Sequence, residues 1–229
     1  REIHIGNLHE LIVEKGSELK IDDTNRKMKG RVFFLGDRVK DADGNYAIFE
    51  ELSSSPAAMS AGKFADAYGS RPGNVLETAD GEQAYPQAKM SSTTKTWIRL
   101  PRHRRPAAWG PLWDPVVEMR QALYGHPDAG GYWERHCEKG VLKAGCKPMG
   151  DCAEWRSCYF NSKTGVLCVI YVDDFKLAGP EHEVAQAWKD ISSIGGIKIT
   201  EPERSTNFLG CKHDVQLNVN GISKITYDM

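Results

Sequence analysis

The stretch from Val166 to Ala178 decides the fold of this chain, and it reads Val-Leu-Cys-Val-Ile-Tyr-Val-Asp-Asp-Phe-Lys-Leu-Ala. Two short apolar runs, 166–171 and 175–178, enclose the polar pair Asp173-Asp174. Runs of this length that are rich in β-branched and aromatic residues are typical of strands. We therefore predict two strands with the paired aspartates between them.

Two adjacent aspartates between apolar strands require an electrostatic explanation. Each carboxylate must stay hydrated, hydrogen-bonded or bound to a cation, and their mutual repulsion must be offset. A divalent metal ion supplies that offset, and oxygen ligands suit magnesium. Because side chains alternate along an extended segment, only one of Asp173 and Asp174 needs to face a shared site. Taken alone, such a pair is more often a plain hairpin turn.

The rest of the sequence predicts a mixed α+β fold. Apolar spacing at helical offsets predicts helices over 7–15, 57–68, 128–142 and 181–191, with Asp128 as an N-cap. Short apolar or alternating runs predict strands over 29–35, 46–49, 75–80 and 97–100. The tail from 207 to 225 alternates as strands, and Asn220-Gly221 is a strong two-residue hairpin turn.

Composition indicates an ordinary globular protein. Hydrophobic residues make up 40% of the 229 residues and charged residues 27%, which is unlike a disordered chain and sufficient for one elaborate domain or two apposed lobes. The formal net charge is -1, so the chain lacks the excess of basic residues that is common in nucleic-acid-binding proteins. Basic stretches at 26–40 and 95–105 could still attract phosphate.

The six cysteines show no CxxC spacing, so we expect reduced thiols. The less favoured alternative is a zinc site built from His136, Cys137, Cys146, Cys152 and Cys158.

No membrane partner is expected. The longest apolar run, 166–172, is far shorter than the ~20 residues of a membrane helix, and no signal-peptide pattern follows Arg1. We therefore expect an intracellular protein. Because the chain opens on Arg1 rather than Met, we expect a segment of a longer polyprotein.

A third aspartate ends another predicted strand. Asp80 begins the segment Asp-Gly-Glu-Gln-Ala-Tyr, which places Tyr85 five positions later. This arrangement resembles that of reverse transcriptases, in which a metal-binding aspartate lies on such a strand and the aromatic residue is a steric gate against a ribose 2′-hydroxyl. The resemblance implies that Asp80, Asp173 and Asp174 are the catalytic and metal-binding residues. The alternative for Tyr85 is a core aromatic residue.

Further motifs resemble the copia-like retrotransposon branch of that family, in the family's order and over residues 29–214. These motifs are the basic fingers strand Lys29-Gly30-Arg31-Val32, the linking segment Trp97-Ile98-Arg99-Leu100-Pro101, Leu123-Tyr124-Gly125 leading to Tyr132-Trp133, and the primer-gripping segment Asn207-Phe208-Leu209-Gly210.

The resemblance implies a fold and a division into domains. The fold would be an α+β polymerase right hand, with an antiparallel palm sheet and helices packed on one of its faces. Fingers and palm would interleave over 29–214. Residues 1–28 would form an N-terminal extension, and residues 215–229 a C-terminal hairpin or the start of a thumb connection.

The implied activity is that of an RNA-directed DNA polymerase, in which a primer 3′-hydroxyl attacks the α-phosphate of a deoxynucleoside triphosphate. Two Mg²⁺ ions, which Mn²⁺ could replace, would serve as cofactors, with Asp80 and Asp173 as bridging ligands and Asp174 in support. The implied nucleotide-binding residues are Lys29, Arg31, Gly81, Glu82 and Tyr85. The implied primer contacts are Phe208, Leu209 and Gly210. Lys198 is either a proton donor to pyrophosphate or, more simply, a solvated lysine.

The resemblance also implies partners and a location. The partners would be an RNA or DNA template-primer, deoxynucleoside triphosphates, and the RNase H and integrase regions of the same Pol polyprotein. The protein would act in the cytoplasm, within a virus-like particle, or in the nucleus.

Two departures from the family pattern keep other functions open. Asp128 stands where copia-like enzymes carry a glutamine, and an acidic group near a triphosphate is unfavourable. Little sequence follows the primer-gripping motif to form a thumb. The chain could therefore be a decayed or domesticated element that binds nucleic acid or protein without polymerising. A metal-dependent hydrolase using the same carboxylates is a third hypothesis.

Overall fold

The computed structural model describes residues 2–49, 54–150, 152–205, 207–209, 211–217 and 223–228. The chain divides into two compact units. The first unit comprises Arg1–Leu52 and Ala88–Tyr132, and the second comprises Ser53–Gln87 and Trp133–Met229.

Helices and strands alternate irregularly along the chain, so the predicted mixed α+β class is confirmed. The α-helices of the described residues are α1 (Met59–Gly69), α2 (Ala84–Gln87), α3 (Ala129–Lys143) and α4 (Glu181–Ser193). The strands are β1 (Ile3–Lys15), β2 (Lys27–Phe34), β3 (Asn74–Asp80), β4 (Lys95–Arg99), β5 (Val117–Glu118), β6 (Lys147–Pro148), β7 (Cys158–Asn161), β8 (Val166–Tyr171), β9 (Asp174–Pro180), β10 (Glu203–Arg204), β11 (Asn207–Phe208), β12 (Cys211–Leu217) and β13 (Ser223–Asp228).

A four-stranded sheet in the order β2-β1-β4-β5 forms the first unit. The helix predicted over 7–15 is wrong, because this segment belongs to β1, which pairs antiparallel with β2 and parallel with β4. Hydrogen bonds to two distant segments outweigh a local spacing that also fits a helix. The strand predicted over 46–49 is wrong as well, since only Tyr46 bridges, to Lys40. Phe34, Val39 and Met119 form the buried core of this unit.

The first 28 residues are structurally part of the first unit, since β1 pairs along most of its length with β2. The predicted boundary between residues 28 and 29 falls inside β2. The division into 1–28, 29–214 and 215–229 stays a prediction about domains.

The second unit contains a six-stranded sheet in the order β10-β3-β9-β8-β7-β6, and every neighbouring pair is antiparallel. At its centre, β8 and β9 form the hairpin predicted around the paired aspartates. β8 is buried along almost its whole length, which requires cover on both faces of the sheet.

Helices cover both faces of this sheet, so the expectation of helices on one face only is wrong. Glu77 pairs with Leu177 of β9, so the side chains of these two residues lie on the same face of the sheet. Successive side chains of a strand alternate between faces, so Lys176 projects from the opposite face. Asp66 of α1 bonds Lys176, whereas Trp188 of α4 bonds Glu77. The apolar character of both sides of β8 is the physical reason for two covering layers.

A small sheet in the order β11-β12-β13 completes the second unit. The hairpin turn predicted at Asn220-Gly221 lies outside the described residues. All six cysteines are free thiols, as expected. None of the helices in the described part of the chain combines the length and apolar character needed to cross a bilayer.

Candidate active site: the aspartate hairpin

Two of the three predicted aspartates face each other across neighbouring strands. Asp80, the last residue of β3, pairs with Asp174, the first residue of β9, and a hydrogen bond joins the two carboxyl groups when one of them holds a proton. Burial, the charge of Asp173 and the charge of Asp80 together raise the pKa of Asp174 to about 6. The structure therefore pairs Asp80 with Asp174, the residue to which the sequence interpretation gave only a supporting role.

Asp173 lies in the tight turn that joins β8 to β9. Tyr171 pairs with Asp174, so Val172 and Asp173 are the two residues of the turn. The backbone of Val172 is left-handed, with a φ of 57°, which is unusual for a β-branched residue. The hairpin thus presents Asp173 next to the Asp80–Asp174 pair.

Both carbonyl groups of this turn are anchored. The backbone N–H of Gly81 donates to the carbonyl oxygen of Asp173 at 2.7 Å, and the indole N–H of Trp133 donates to that of Val172 at 2.6 Å. A Cβ atom at Gly81 would lie 3.0 Å from the Trp133 ring. Glycine at this position therefore suits the close approach of the chain to the indole ring.

The sequence placed Trp133 in a family motif and within the predicted helix 128–142, and nothing in it indicated that this side chain holds the turn. Sequence reasoning missed Thr200 entirely. The N–H of Asp80 donates to Oγ1 of Thr200 at 2.9 Å, and the N–H of Thr200 donates to the carbonyl of Asp80 at 2.8 Å. No spacing in the sequence indicates this pairing, since the two segments meet only in the folded chain.

The residues after Asp80 also have fixed positions. The backbone N–H of Glu82 donates to the carbonyl of Lys198 at 2.9 Å, and the Gln87 side chain donates to the same carbonyl at 2.9 Å. Tyr85 is half-buried, and burial, with the charge of Asp173, raises its pKa. Tyr85 therefore lies within electrostatic reach of the hairpin, and its role as a steric gate stays a prediction. The Lys198 side chain is exposed.

A cavity of about 250 Å³ opens beside the carboxylate pair. Asp80 and Asp174 line one part of it, and Phe208 and Leu209 line another. Two of the three predicted primer contacts are thus brought to the aspartates. The third, Gly210, lies outside the described residues.

The remaining predicted site residues belong to the first unit. Lys29 and Arg31 lie on β2 with exposed side chains, and their nucleotide contacts stay a prediction. Asp128 is buried and immediately precedes α3, which is consistent with the position predicted for a cap.

Metal-binding potential rests on the carboxylate pair. Across the residues that the structure describes, no three His, Cys, Asp or Glu side chains form a metal-binding group, which applies both to the residues of the zinc alternative and to the three aspartates taken together. Burial raises the pKa of the Cys146 and Cys158 thiols to about 11, which keeps them protonated. Asp80 and Asp174, in contrast, are hard oxygen donors whose proximity favours a bound divalent cation.

Comparison with protein-family models found no family that matches the chain, and a search of the curated proteins found no relative. The function must therefore be inferred from the site itself.

Proposed function

We propose that this chain is the reverse-transcriptase domain of a copia-like retrotransposon Pol polyprotein, an RNA-directed DNA polymerase with a fingers-and-palm fold. The observation that carries the proposal is the pairing of Asp80 with Asp174 across β3 and β9, with Asp173 in the adjoining turn. Asp80 comes from a part of the sequence distant from the adjacent pair Asp173-Asp174, and a plain hairpin turn would need only that local pair.

The electrostatics of the pair favour a divalent cation. With the pKa of Asp174 raised to about 6, the pair retains part of its proton occupancy just below neutral pH. A cation with oxygen preference would replace that proton and offset the repulsion among the carboxylates. Asp80 and Asp174 would hold it, and the charge of nearby Asp173 would add to the attraction. Two bound Mg²⁺ ions, or Mn²⁺, would supply activation of the primer hydroxyl and neutralisation of the triphosphate.

The chain's own groups would position the reactants. Trp133 and Gly81 fix the turn through its carbonyl groups, so the carboxylates keep their place without reorganising. Phe208 and Leu209 form an apolar wall beside Asp80 and Asp174, on which a primer terminus could rest.

The substrate contacts are proposed by resemblance. The Tyr85 ring would pack under the deoxyribose and exclude ribonucleotides. Lys29 and Arg31 would contact the triphosphate, since guanidinium and ammonium groups bind phosphate oxygens well. The backbone of Gly81 and Glu82 would approach the same phosphates. The partners would be an RNA or DNA template-primer and the RNase H and integrase regions of the polyprotein.

Primer extension on an RNA template tests the proposal. The chain should extend the primer in a Mg²⁺-dependent manner, and both Asp80→Asn and Asp174→Asn should abolish the product. The matched control is Asp43→Asn, at an exposed turn residue of the first unit, which should leave extension unchanged. Extension that survives Asp174→Asn would contradict the role given to the pair.

A second measurement separates metal binding from turnover. Mn²⁺ binding, followed by electron paramagnetic resonance, should weaken in Asp80→Asn and in Asp174→Asn but not in Asp43→Asn. A salt-dependent affinity for primer-template, unaffected by Mg²⁺ or by Asp80→Asn and without extension, would instead identify a decayed or domesticated binding protein. Phosphodiester cleavage without nucleotide incorporation would identify a hydrolase.

A further inference from the structure

The first unit contains a cavity of about 270 Å³ that is not part of the aspartate hairpin. His4, Thr96 and His126 line it, and these side chains are only 5%, 2% and 4% exposed. His4 and Thr96 are register partners on the parallel strands β1 and β4. Polar side chains with so little exposure normally need a hydrogen-bonding partner.

The hydrogen bonds of His126 fix its state. The backbone N–H of Asp128 donates to Nδ1 of His126 at 3.2 Å, so the proton of the neutral ring is on Nε2. Nε2 lies 3.2 Å from Oγ1 of Thr96 and donates to it. Burial, reinforced by His4, lowers the pKa of His126 to about 4. At neutral pH the ring is therefore uncharged, and both of its nitrogens are in use.

The Nε2 atom of His4 is in a different state from that of His126. Its Nε2 atom is buried and makes no hydrogen bond, although its ring packs against Phe49 with centroids 4.5 Å apart. A buried nitrogen without a partner is unfavourable. The cavity beside it has space for a molecule larger than one ordered water, so a ligand could supply the missing partner.

The charges around the cavity limit the class of ligand. Its charged lining residues are the carboxylates Glu2 and buried Asp128, and none of the described residues that line it is Lys or Arg. An anion would be repelled. The rings of Phe49 and Tyr132 also line the cavity, and aromatic rings attract organic cations.

A metal ion fits this cavity less well. Both nitrogens of His126 already have partners, which leaves His4 as the one imidazole of the cavity able to coordinate. Among the residues described, no group of three ligating side chains occurs here or elsewhere. One imidazole, beside carboxylates that form no metal-binding group with it, is less than protein sites for transition metals normally provide.

We propose that this cavity binds a small organic cation with N–H donors, of the primary ammonium or guanidinium class. One N–H donates to Nε2 of His4, and the positive charge pairs with the carboxylate of Asp128. All the residues involved belong to the first unit, and the inference does not depend on the polymerase proposal.

Nuclear magnetic resonance titration of the imidazole signals tests this site in the unmodified chain. Methylguanidinium and ethylammonium should cause saturable shifts of the His4 and His126 signals at millimolar concentration, since ligands with few atoms bind weakly. Tetramethylammonium, which has the charge but no N–H donor, should not. Equal shifts with tetramethylammonium, saturable binding of acetate or Zn²⁺ at these signals, or no saturable shift with either donor would overturn the proposal.

Two substitutions test the individual contacts. His4→Phe retains a ring but removes the acceptor, and Asp128→Asn retains the shape but removes the charge. Each should weaken methylguanidinium binding by roughly tenfold or more. The matched controls His9→Phe and Asp43→Asn, at exposed positions, should not change it. Binding that survives both substitutions would contradict the proposal, and if a variant does not fold, the comparison of donor and donor-free cations in the unmodified chain decides.

Discussion

Nζ of Lys176 lies 2.6 Å from Oδ1 of Asp66, and the two side chains are only 1% and 2% exposed. The same carboxylate accepts a hydrogen bond from the Tyr227 hydroxyl at 2.8 Å, and Nζ lies 4.1 Å from the centroid of the Phe208 ring. Burial lowers the pKa of Lys176, partly offset by Asp66. One ion pair thus connects α1, β9 and β13 with a residue that lines the cavity of the candidate active site.

Removing one partner of this pair should be strongly destabilising. Asp66→Asn or Lys176→Met leaves an uncompensated buried charge, which typically costs about 3–5 kcal/mol. The double variant Asp66→Leu with Lys176→Met should recover part of that loss, because it removes both charges of the pair; the rest persists because the Tyr227 hydroxyl loses its acceptor. Urea unfolding measures all three. Substitution of Asp37, whose ion pair with Arg38 is largely exposed, should have little effect. Single variants as stable as the parent chain would show that the pair is not buried as described.

Gly81→Ala should disrupt the aspartate hairpin. The added Cβ would lie 3.0 Å from the Trp133 ring and 3.4 Å from the Asp173 carbonyl oxygen, so the indole ring, which holds the turn, must give way by a few tenths of an ångström. We expect a stability loss of about 1–3 kcal/mol together with weaker Mn²⁺ binding. Gly30→Ala is the control, because a Cβ there meets no atom within 4 Å. Unchanged Mn²⁺ binding in Gly81→Ala would mean that this close approach is not needed for the site.

Val172→Asn should raise stability by about 1 kcal/mol. The left-handed φ of 57° at this position is strained for valine, whereas asparagine tolerates it well. The matched change Val32→Asn, at an exposed strand position of β2, should lower stability because asparagine is unfavourable in strands. Thermal unfolding compares the two. A loss of stability in both variants would argue against strain in the turn.

In metal-free buffer, Asp174 should make the chain less stable as the pH rises. Its pKa is raised from 3.8 to about 6, so between these values the folded chain holds a proton that the unfolded chain has released. Stability therefore falls as the pH increases through this window. The loss is smaller than it would be for a fully buried carboxyl group, because Asp174 is about half exposed. Asp174→Asn should remove this component from urea unfolding curves measured across the window, whereas Asp43→Asn should retain it. Identical pH profiles for Asp174→Asn and the parent chain would contradict the raised pKa.

Part of the fold follows from short-range sequence patterns. The hairpin of β8 and β9, the strand that ends at Asp80 and the helices α1, α3 and α4 were predictable, because apolar period and turn residues act over a few neighbouring positions. The same patterns favoured a helix over 7–15. β1 forms there instead, because its hydrogen bonds come from β2 and β4, which local spacing does not encode.

The identity of the acidic residues was likewise available from the sequence alone, which supplied Asp80, Asp173, Asp174 and nearby Tyr85 as candidates. Only the tertiary structure decided which carboxylates meet. The register of β3 against β9 pairs Asp80 with Asp174, and Trp133 and Thr200 reach the site from segments remote along the chain. The burial of Lys176 against Asp66 likewise depends on the tertiary structure. The sequence determines what each segment can do by itself, whereas desolvation and pairing depend on which distant segments come together.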